Sequence, residues 1–242
     1  MIEEILLLTD AALAPSLEAV LVEVNPDLRI TRIHSLQHLK QRCLLPLSGV
    51  RMLSFGSDVI VPEEILQQLD CTAYNFHPGP PNYPGRYPSC FFIYEGETLF
   101  GSTVHEMISK VDSGPINAVE WFQPPTNIDR FTLDTMSFRS LFGMFKSLAP
   151  HLAIRKTSLK RIAQIWGERK YTQKDFDALC RLPANVNEEE FKRRYRAIGE
   201  GPEHAMEIMI YGHRFQINND RDERRLMVGG YPVVRAEASK KG

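Results

Sequence analysis

The four cysteines of this 242-residue chain include no C-x-x-C pair and no spacing typical of a zinc site. No apolar run approaches the ~20 residues of a membrane span. The start, MIEEILLLTD, has acidic residues where a signal peptide needs basic ones, and its apolar stretch is short. We therefore expect free thiols, no metal, no membrane segment and a cytoplasmic location.

Motifs of three large enzyme classes are also missing. The first predicted strand-to-helix turn reads T-D-A-A-L-A-P, which contains neither the G-x-G-x-x-G of dinucleotide-binding proteins nor a phosphate-binding P-loop. No serine lies in a G-x-S-x-G elbow, so a hydrolase triad would have no nucleophile. The sequence thus argues against a dinucleotide enzyme, a kinase and a serine hydrolase.

Charge is distributed unevenly along the chain. Residues 1–150 carry 10 Lys and Arg against 17 Asp and Glu, whereas residues 151–242 carry 19 against 13. This difference fits two units with different surfaces, and the basic half is either an ordinary solvated helical surface or a patch for an anionic ligand. We place the boundary near Trp166, which gives a larger domain over 1–166 and a small region over 167–242.

Short apolar runs alternate with segments of helical spacing through the first domain. The predicted strands cover 5–8, 28–34, 50–55, 72–76, 99–107, 116–122 and 159–166, and the predicted helices cover 15–24, 36–44, 62–69, 91–94 and 132–152. The alternation predicts an α/β fold, a parallel sheet flanked by helices on both faces.

The remaining region has a different pattern. It predicts helices over 172–179 and 187–198, strands over 206–210 and 213–217 around a Tyr-Gly turn, and a further strand or two within 224–234. We therefore expect a small α+β extension after the main domain.

Four polar residues fall at the ends of predicted strands or in the loops that follow: Asn75, His77, His105 and Asp112. An Asn amide can donate to an oxyanion, a His can shuttle a proton, and an Asp can orient that His or accept a proton from an amine. Each has a purely structural explanation by itself, as a turn cap, a loop histidine or a semi-buried histidine. Their joint position at neighbouring strands favours a site, with His105 as its weakest member.

Several linked motifs then resemble the folate-dependent formyltransferases. They are N-x-H-P at 75–78, a loop rich in proline and glycine, G-x-T-V-H at 101–105 and D-x-G-P-I at 112–116. The stretch SFGSDVIVP at 54–62 also stands where that family binds its pterin. The resemblance covers about residues 1–150 in order and spacing.

The resemblance implies a Rossmann-like sheet and 10-formyltetrahydrofolate as the formyl donor. It also implies roles for Asn75 in stabilising the oxyanion, for His77 as acid or electrostatic stabiliser, and for Asp112 in removing a proton from the acceptor amine. The pterin is expected between two segments, held largely by their backbone: Ser57, Asp58, Val59 and Ile60 on one side, and Ile108, Ser109, Lys110 and Val111 on the other.

Departures from the family's patterns bear on the acceptor. The glycine-rich phosphate loop of the purine enzyme is replaced by T-D-A-A-L-A-P, and the loop G-P-P-N-Y-P-G at 79–85 differs from that of the methionyl-tRNA enzyme. Some resemblance to the tRNA enzyme continues at 166–175 and 193–198, but the rest is too short for its C-terminal barrel. The H-P-G loop and shortened C-terminal part look most like sugar N-formyltransferases, which implies a nucleotide-linked amino sugar and a place in lipopolysaccharide biosynthesis.

Two alternatives remain open at this point: a methionyl-tRNA or other small-amine formyltransferase, and a non-catalytic folate-binding module. Nucleic acid is the less favoured partner, because the C-terminal half is only modestly basic. A homodimer through the C-terminal hairpin region is a further expectation, since exposed strand edges pair readily.

Overall fold

The computed structural model describes residues 1–198, 205–216, 226–228 and 231–233. Its strands are β1 Glu4–Thr9, β2 Arg29–Ile33, β3 Val50–Phe55, β4 Tyr74–His77, β5 Phe100–Glu106, β6 Ile116–Phe122, β7 Arg181–Leu182, β8 Glu207–Ile210, β9 His213–Gln216, β10 Leu226–Val228 and β11 Tyr231–Val233. Its helices are α1 Ala14–Val24, α2 Leu36–Arg42, α3 Glu63–Leu66, α4 Pro88–Glu95, α5 Arg130–Leu152, α6 Gln173–Cys180 and α7 Glu188–Ile198.

A six-stranded sheet in the order β2-β1-β3-β4-β5-β6 forms the centre of the fold. The uninterrupted apolar run of β1 is buried on both faces because its side chains alternate between two cores. Ile5 and Leu7 belong to the core that contains residues of α1 and α5. Leu6 and Leu8 belong to the core that contains residues of α2 and α3. The predicted α/β fold with helices on both faces is confirmed.

The direction of the last two strands corrects the prediction of a parallel sheet. Strands β1 to β4 pair in parallel, whereas β4–β5 and β5–β6 pair antiparallel. The connection between β5 and β6 contains no helix, and such a short connection returns the chain in the opposite direction. The longer segment between β4 and β5 contains α4, and β5 nevertheless runs antiparallel to β4. The sheet is therefore mixed.

The prediction of a strand over 159–166 is wrong. Only one hydrogen bond joins this segment to the neighbouring β6 backbone, from Ile162 N–H to the carbonyl of Ile116. Its other backbone groups bind side chains instead: Leu159 N–H donates to the Tyr74 hydroxyl, and the Asn117 amide donates to the Leu159 carbonyl. The segment therefore has no regular secondary structure.

A third core joins α4 to the residues that follow Trp166. Phe91 and Phe92 of α4 belong to the same buried cluster as Phe176 of α6 and Ile198 of α7. Thr172 begins α6 with a capping box, and Asn187 accepts from Glu190 N–H at the start of α7. The domain boundary near Trp166 stays a prediction, and extensive apolar packing crosses it.

The predicted C-terminal strands are present where the structure describes them. β8 and β9 form an antiparallel hairpin around the Tyr211–Gly212 turn, and β10 pairs antiparallel with β11. Residue 217 and the other parts of the predicted 224–234 strands lie outside the described residues. No helix in the described part of the chain has the length and apolar character needed to cross a membrane.

Candidate active site

Two neighbouring antiparallel strands present the central polar residues. Asn75 and His77 lie two apart on β4, so their side chains share one face of the sheet. In β5, His105 lies directly opposite Asn75. Cross-strand register, and not the shared edge of a parallel sheet, therefore brings His105 beside them.

The loop between β5 and β6 brings Asp112 to the same place. It leaves β5 and folds back over the sheet, with Glu106 N–H bound to the Pro115 carbonyl. Gly114 lies so close to the Glu106 backbone that a Cβ would overlap its carbonyl oxygen. Asp112 has a positive φ of 44°, in the left-handed region that suits Asp in tight turns.

The four side chains form one cluster around the Asp112 carboxylate. Asp112 Oδ1 lies 3.4 Å from Asn75 Nδ2 and 3.3 Å from His105 Nε2. Asp112 Oδ2 lies 3.6 Å from His77 Nδ1 and accepts from Gly85 N–H at 2.8 Å. The structure thus brings together the three residues predicted as catalytic, and it adds His105, which sequence reasoning ranked last.

Exposure differs within the cluster. His77, His105 and Asp112 are each 5% exposed or less, whereas Asn75 is only half-buried. Asn75 Nδ2 is also 3.1 Å from His105 Nε2, so these two atoms and Asp112 Oδ1 form a nearly equilateral triangle. One N–H of the amide can point at both neighbours, and the second N–H is then available to a bound molecule.

Backbone carbonyls determine one proton on each histidine. His77 Nε2 lies 3.0 Å from the Tyr83 carbonyl, and His105 Nδ1 lies 2.9 Å from the Glu106 carbonyl. A carbonyl oxygen only accepts, so both of these ring nitrogens carry hydrogen. The other nitrogen of each ring faces Asp112, His77 Nδ1 toward Oδ2 and His105 Nε2 toward Oδ1.

The charges of this cluster are strongly coupled. Burial by itself raises the pKa of Asp112, but the charge of His77, the hydrogen bond with His105 and the Gly85 N–H together hold that pKa well below its ordinary value. Burial lowers the pKa of His77, and the nearby Asp112 partly counteracts that effect. The site therefore keeps an ionised carboxylate in a place that excludes water.

The loop rich in proline and glycine, residues 78–87 (the proline loop), positions two of these groups through its backbone. Its Tyr83 carbonyl accepts from His77, and its Gly85 N–H donates to Asp112. The Tyr83 hydroxyl is held in turn by Glu95 at 2.9 Å.

Sequence reasoning missed the contact of Trp166 with the site. The indole packs edge to face on both imidazoles, with ring centroids 5.7 Å from His77 and 4.9 Å from His105. An isolated tryptophan within a mostly polar segment was the available signal, but its partners are about 60–90 residues away in sequence and no local pattern connects them.

The two segments expected to hold a pterin lie beside the cluster. Ser57–Ile60 follows β3, and Ile108–Val111 immediately precedes Asp112. Val59 and Met107 pack against the same apolar core, which places the two segments on one side of the sheet. Ile60, Ile108 and Val111 nevertheless expose 62%, 43% and 38% of their surface.

Within these segments, the polar side chains point outward. Asp58 is exposed and lies 3.6 Å from Arg86, and Ser57 Oγ accepts from Val59 N–H. Ser109 and Lys110 are exposed as well. Over the described residues, no group of three or more His, Cys, Asp or Glu is arranged to hold a metal ion.

No protein-family model matches the chain. Its structure is similar to a sugar N-formyltransferase from a Shewanella species, with a TM-score of 0.72 and 18% identity over 92% of this chain and 99% of that one. HypX from Aquifex aeolicus in complex with tetrahydrofolic acid has a TM-score of 0.65 and 16% identity over 90% of this chain and 37% of HypX.

A third similar structure is the N-formyltransferase from Helicobacter canadensis in complex with folinic acid and dTDP-3-aminofucose. Its TM-score is 0.61, with 16% identity over 81% of this chain and 80% of that one. Sequence identities this low establish shared architecture only, and the chain therefore has the fold of the sugar N-formyltransferases.

Proposed function

We propose that this protein is an N-formyltransferase that moves the formyl group of 10-formyltetrahydrofolate to the primary amine of a nucleotide-linked amino sugar. The observation that carries the proposal is the buried cluster in which an ionised Asp112 contacts His77, His105 and the partly exposed Asn75. A cytoplasmic location and a place in lipopolysaccharide biosynthesis belong to the same proposal.

The two exposed segments fit a bound folate. Ile60, Ile108 and Val111 offer apolar contact to the flat face of a pterin, and the loop backbone around them offers donors and acceptors to its polar edge. The second segment adjoins the buried cluster, because Val111 directly precedes Asp112 in the chain. The first lies on the same side of the sheet, because Val59 and Met107 pack against one core. The bound folate would supply an electrophilic formyl carbon there.

Asn75 and Asp112 divide the chemistry between them. The free N–H of the Asn75 amide is placed to donate to the formyl oxygen as negative charge develops on it. Asp112 is placed to accept the proton that the attacking amine loses as its bond to the formyl carbon forms. When the carbon's bond to the folate nitrogen breaks, that proton can return from the cluster to the leaving nitrogen.

His77 and His105 keep that carboxylate available. Because one nitrogen of each ring donates to a backbone carbonyl, both rings are fixed with the other nitrogen toward Asp112. A proton received by Asp112 can thus pass to an imidazole without any side chain moving. No covalent bond to the protein is required, which agrees with the lack of a nucleophile motif.

The support for a nucleotide-linked sugar comes from the neighbours with this fold, one of which is complexed with dTDP-3-aminofucose. The test incubates purified protein with 10-formyltetrahydrofolate and a set of dTDP- and GDP-linked amino sugars, and detects the N-formyl product by mass spectrometry. Product from the wild type, and less product by about 100-fold or more from Asp112→Asn, is the expected result, because the variant lacks the group that accepts the amine proton.

Parallel measurements identify the alternatives. Formylation of initiator methionyl-tRNA or of a simple amine, with no reaction on any nucleotide sugar, would replace the acceptor class. Folinic acid binding in calorimetry, without transfer to any acceptor, would favour a non-catalytic folate module. Absence of both binding and transfer would refute the proposal as a whole.

A further inference from the structure

Residues 166–171, called the strap below, cross both loops that carry the site. On one side, Trp166 Nε1 donates to the Gly114 carbonyl at 2.8 Å, and Lys170 Nζ donates to the Val111 carbonyl at 2.7 Å. These two carbonyls stand on either side of Asp112 in the chain. The strap therefore holds the Asp112 turn at both of its ends.

On its other side, the strap pairs with the backbone of the proline loop. Gly167 N–H donates to the Pro81 carbonyl, and Tyr171 N–H donates to the Pro84 carbonyl, both at 2.9 Å. Between and beside these contacts lie Tyr83 and Gly85, the two residues whose backbone holds His77 and Asp112.

The strap and the proline loop pack so closely that two glycines between them have no room for a side chain. A Cβ built on Gly85 would overlap the Tyr171 carbonyl oxygen, and one on Gly167 would come within 2.8 Å of the Asn82 carbonyl oxygen. Gly85 also has a φ of 103°, a conformation that favours glycine. The strap is thus in direct backbone contact with the loop and cannot shift without moving it.

The indole at the start of the strap covers the histidines themselves. Its plane stands at 75° to the His77 ring and at 89° to the His105 ring, the edge-to-face geometry that aromatic pairs prefer. One side chain therefore contacts both imidazoles and, through its N–H, the Asp112 turn.

We propose that Trp166 is a positioning residue of the active site, which acts through His77, His105 and Asp112 and needs no contact with either substrate. The proposal rests on the proposed formyl transfer and deepens it. The ring sets the orientation of both imidazoles and excludes water from them, and the indole N–H sets the turn that presents the carboxylate. Loss of the Trp166 side chain is therefore expected to misplace Asp112, the proton acceptor, relative to the attacking amine.

Kinetics of matched variants test this role. Trp166→Phe keeps an aromatic edge but loses the N–H, and Trp166→Leu loses both. We expect kcat to fall about 10–100-fold in Trp166→Phe and further in Trp166→Leu, with the KM values for folate and acceptor unchanged, because misplacement acts on the chemical step. Trp121→Phe is the control, since the only other tryptophan lies on β6 and is 36% exposed.

The contradicting results are equally specific. A kcat for Trp166→Phe that equals that of Trp121→Phe would overturn the proposal. So would a loss that appears wholly as a raised KM, or one that matches a loss of folded protein in thermal melting.

An activity-independent measurement separates this proposal from the proposed function. In a ¹H–¹⁵N spectrum of protein with ¹⁵N-labelled indole, Trp121→Phe assigns the two indole signals. Asp112→Asn is expected to shift the Trp166 signal and leave the Trp121 signal unchanged, because the Trp166 N–H binds the Asp112 turn. An unmoved Trp166 signal would refute the proposed coupling between Trp166 and the Asp112 turn, even if the enzyme is active. A wild type without transferase activity would refute only the proposed function.

Discussion

Asn75 differs from its neighbours in the cluster because part of its surface stays open to solvent. Its amide bridges His105 and Asp112 with one N–H and has a second to offer a bound molecule. A donor already oriented by buried partners costs little reorganisation when charge develops on a substrate oxygen. At the scale of single residues, this makes Asn75 the group that couples the buried cluster to the reaction.

Asn75→Ala is expected to lower kcat about 10²–10³-fold, the usual cost of one oxyanion donor. The KM for folate should change little, because the pterin segments do not include this side chain. Steady-state kinetics and thermal melting of the same preparation check the prediction. Unchanged kcat in a folded variant would exclude the oxyanion role.

Glu4 shows how one buried carboxylate can make stability depend on pH. It is fully buried and accepts hydrogen bonds from Arg29, Thr31 and Arg42. Burial raises its pKa, but the hydrogen bonds from Arg42, Thr31 and Arg29 lower it to about 2, from an ordinary value of 4.5. Because the folded pKa is the lower one, the ionised group stabilises the protein above pH 4.5, and this contribution is lost as pH falls toward 2.

Glu4→Gln should lower the free energy of unfolding by about 1.5–3 kcal/mol at neutral pH. The difference from wild type should shrink as pH falls below 4.5, which urea unfolding at several pH values measures. Glu18→Gln removes an exposed pair with Arg32 and should cost no more than about 1 kcal/mol. A difference for Glu4→Gln that stays constant down to acid pH would contradict the assignment.

At the scale of elements, two loops of the site are held by a third segment and not by regular structure. The proline loop and the Asp112 turn both receive hydrogen bonds from residues 166–171. The prolines limit the freedom of the loop before folding, which reduces the entropy lost when it is ordered. Gly85 leaves no room for a side chain in this arrangement, because the Tyr171 backbone lies against it.

A pair of glycine substitutions tests that tolerance. Gly85→Ala is expected to reduce kcat at least tenfold and to destabilise the protein, because it strains a positive φ and displaces the strap. Gly143→Ala lies in the interior of α5 with nothing within 4 Å of its Cβ, and should stabilise by about 0.5–1 kcal/mol without changing kcat. Equal effects of the two substitutions on stability would contradict the role given to the loop.

At the scale of the whole molecule, Arg51 ties the central sheet to the end of the longest helix. It lies on β3, is fully buried, and donates to the carbonyls of Leu152 and Arg155 at 2.8 Å. Its guanidinium also lies over the Tyr74 ring, 5.7 Å from the centroid. A cation near the carboxyl end of a helix is favoured by the helix dipole, and the planar fork of donors satisfies several carbonyls at once.

Arg51→Lys keeps the charge but removes the fork, and should therefore lower the free energy of unfolding by about 1–3 kcal/mol. Chemical denaturation checks this, with Arg32→Lys as the control at an exposed pair that should change stability by less than about 1 kcal/mol. Activity per folded molecule should remain, because Arg51 contacts none of the cluster. A stability loss no larger than that of the control would show that the buried fork is not required.

Much of this architecture could be read from local patterns. The apolar runs of β1 and β3 predict buried strands, and the separation of Asn75 and His77 by one residue places both on one face, because a strand repeats every two residues. The motif order through Asp112 indicated the fold that the similar structures share. These features depend on neighbours in sequence, so the sequence by itself determined them.

Only the tertiary structure decided the rest. Parallel and antiparallel strands have the same period, so the residue pattern did not reveal the reversal of β5 or the pairing of His105 with Asn75. The segment 159–166 looked like a strand, but its hydrogen-bond partners lie elsewhere in the fold, and Trp166 reaches the histidines only through that path. Contacts between residues distant in sequence form when the whole core packs, and no local propensity carries that information.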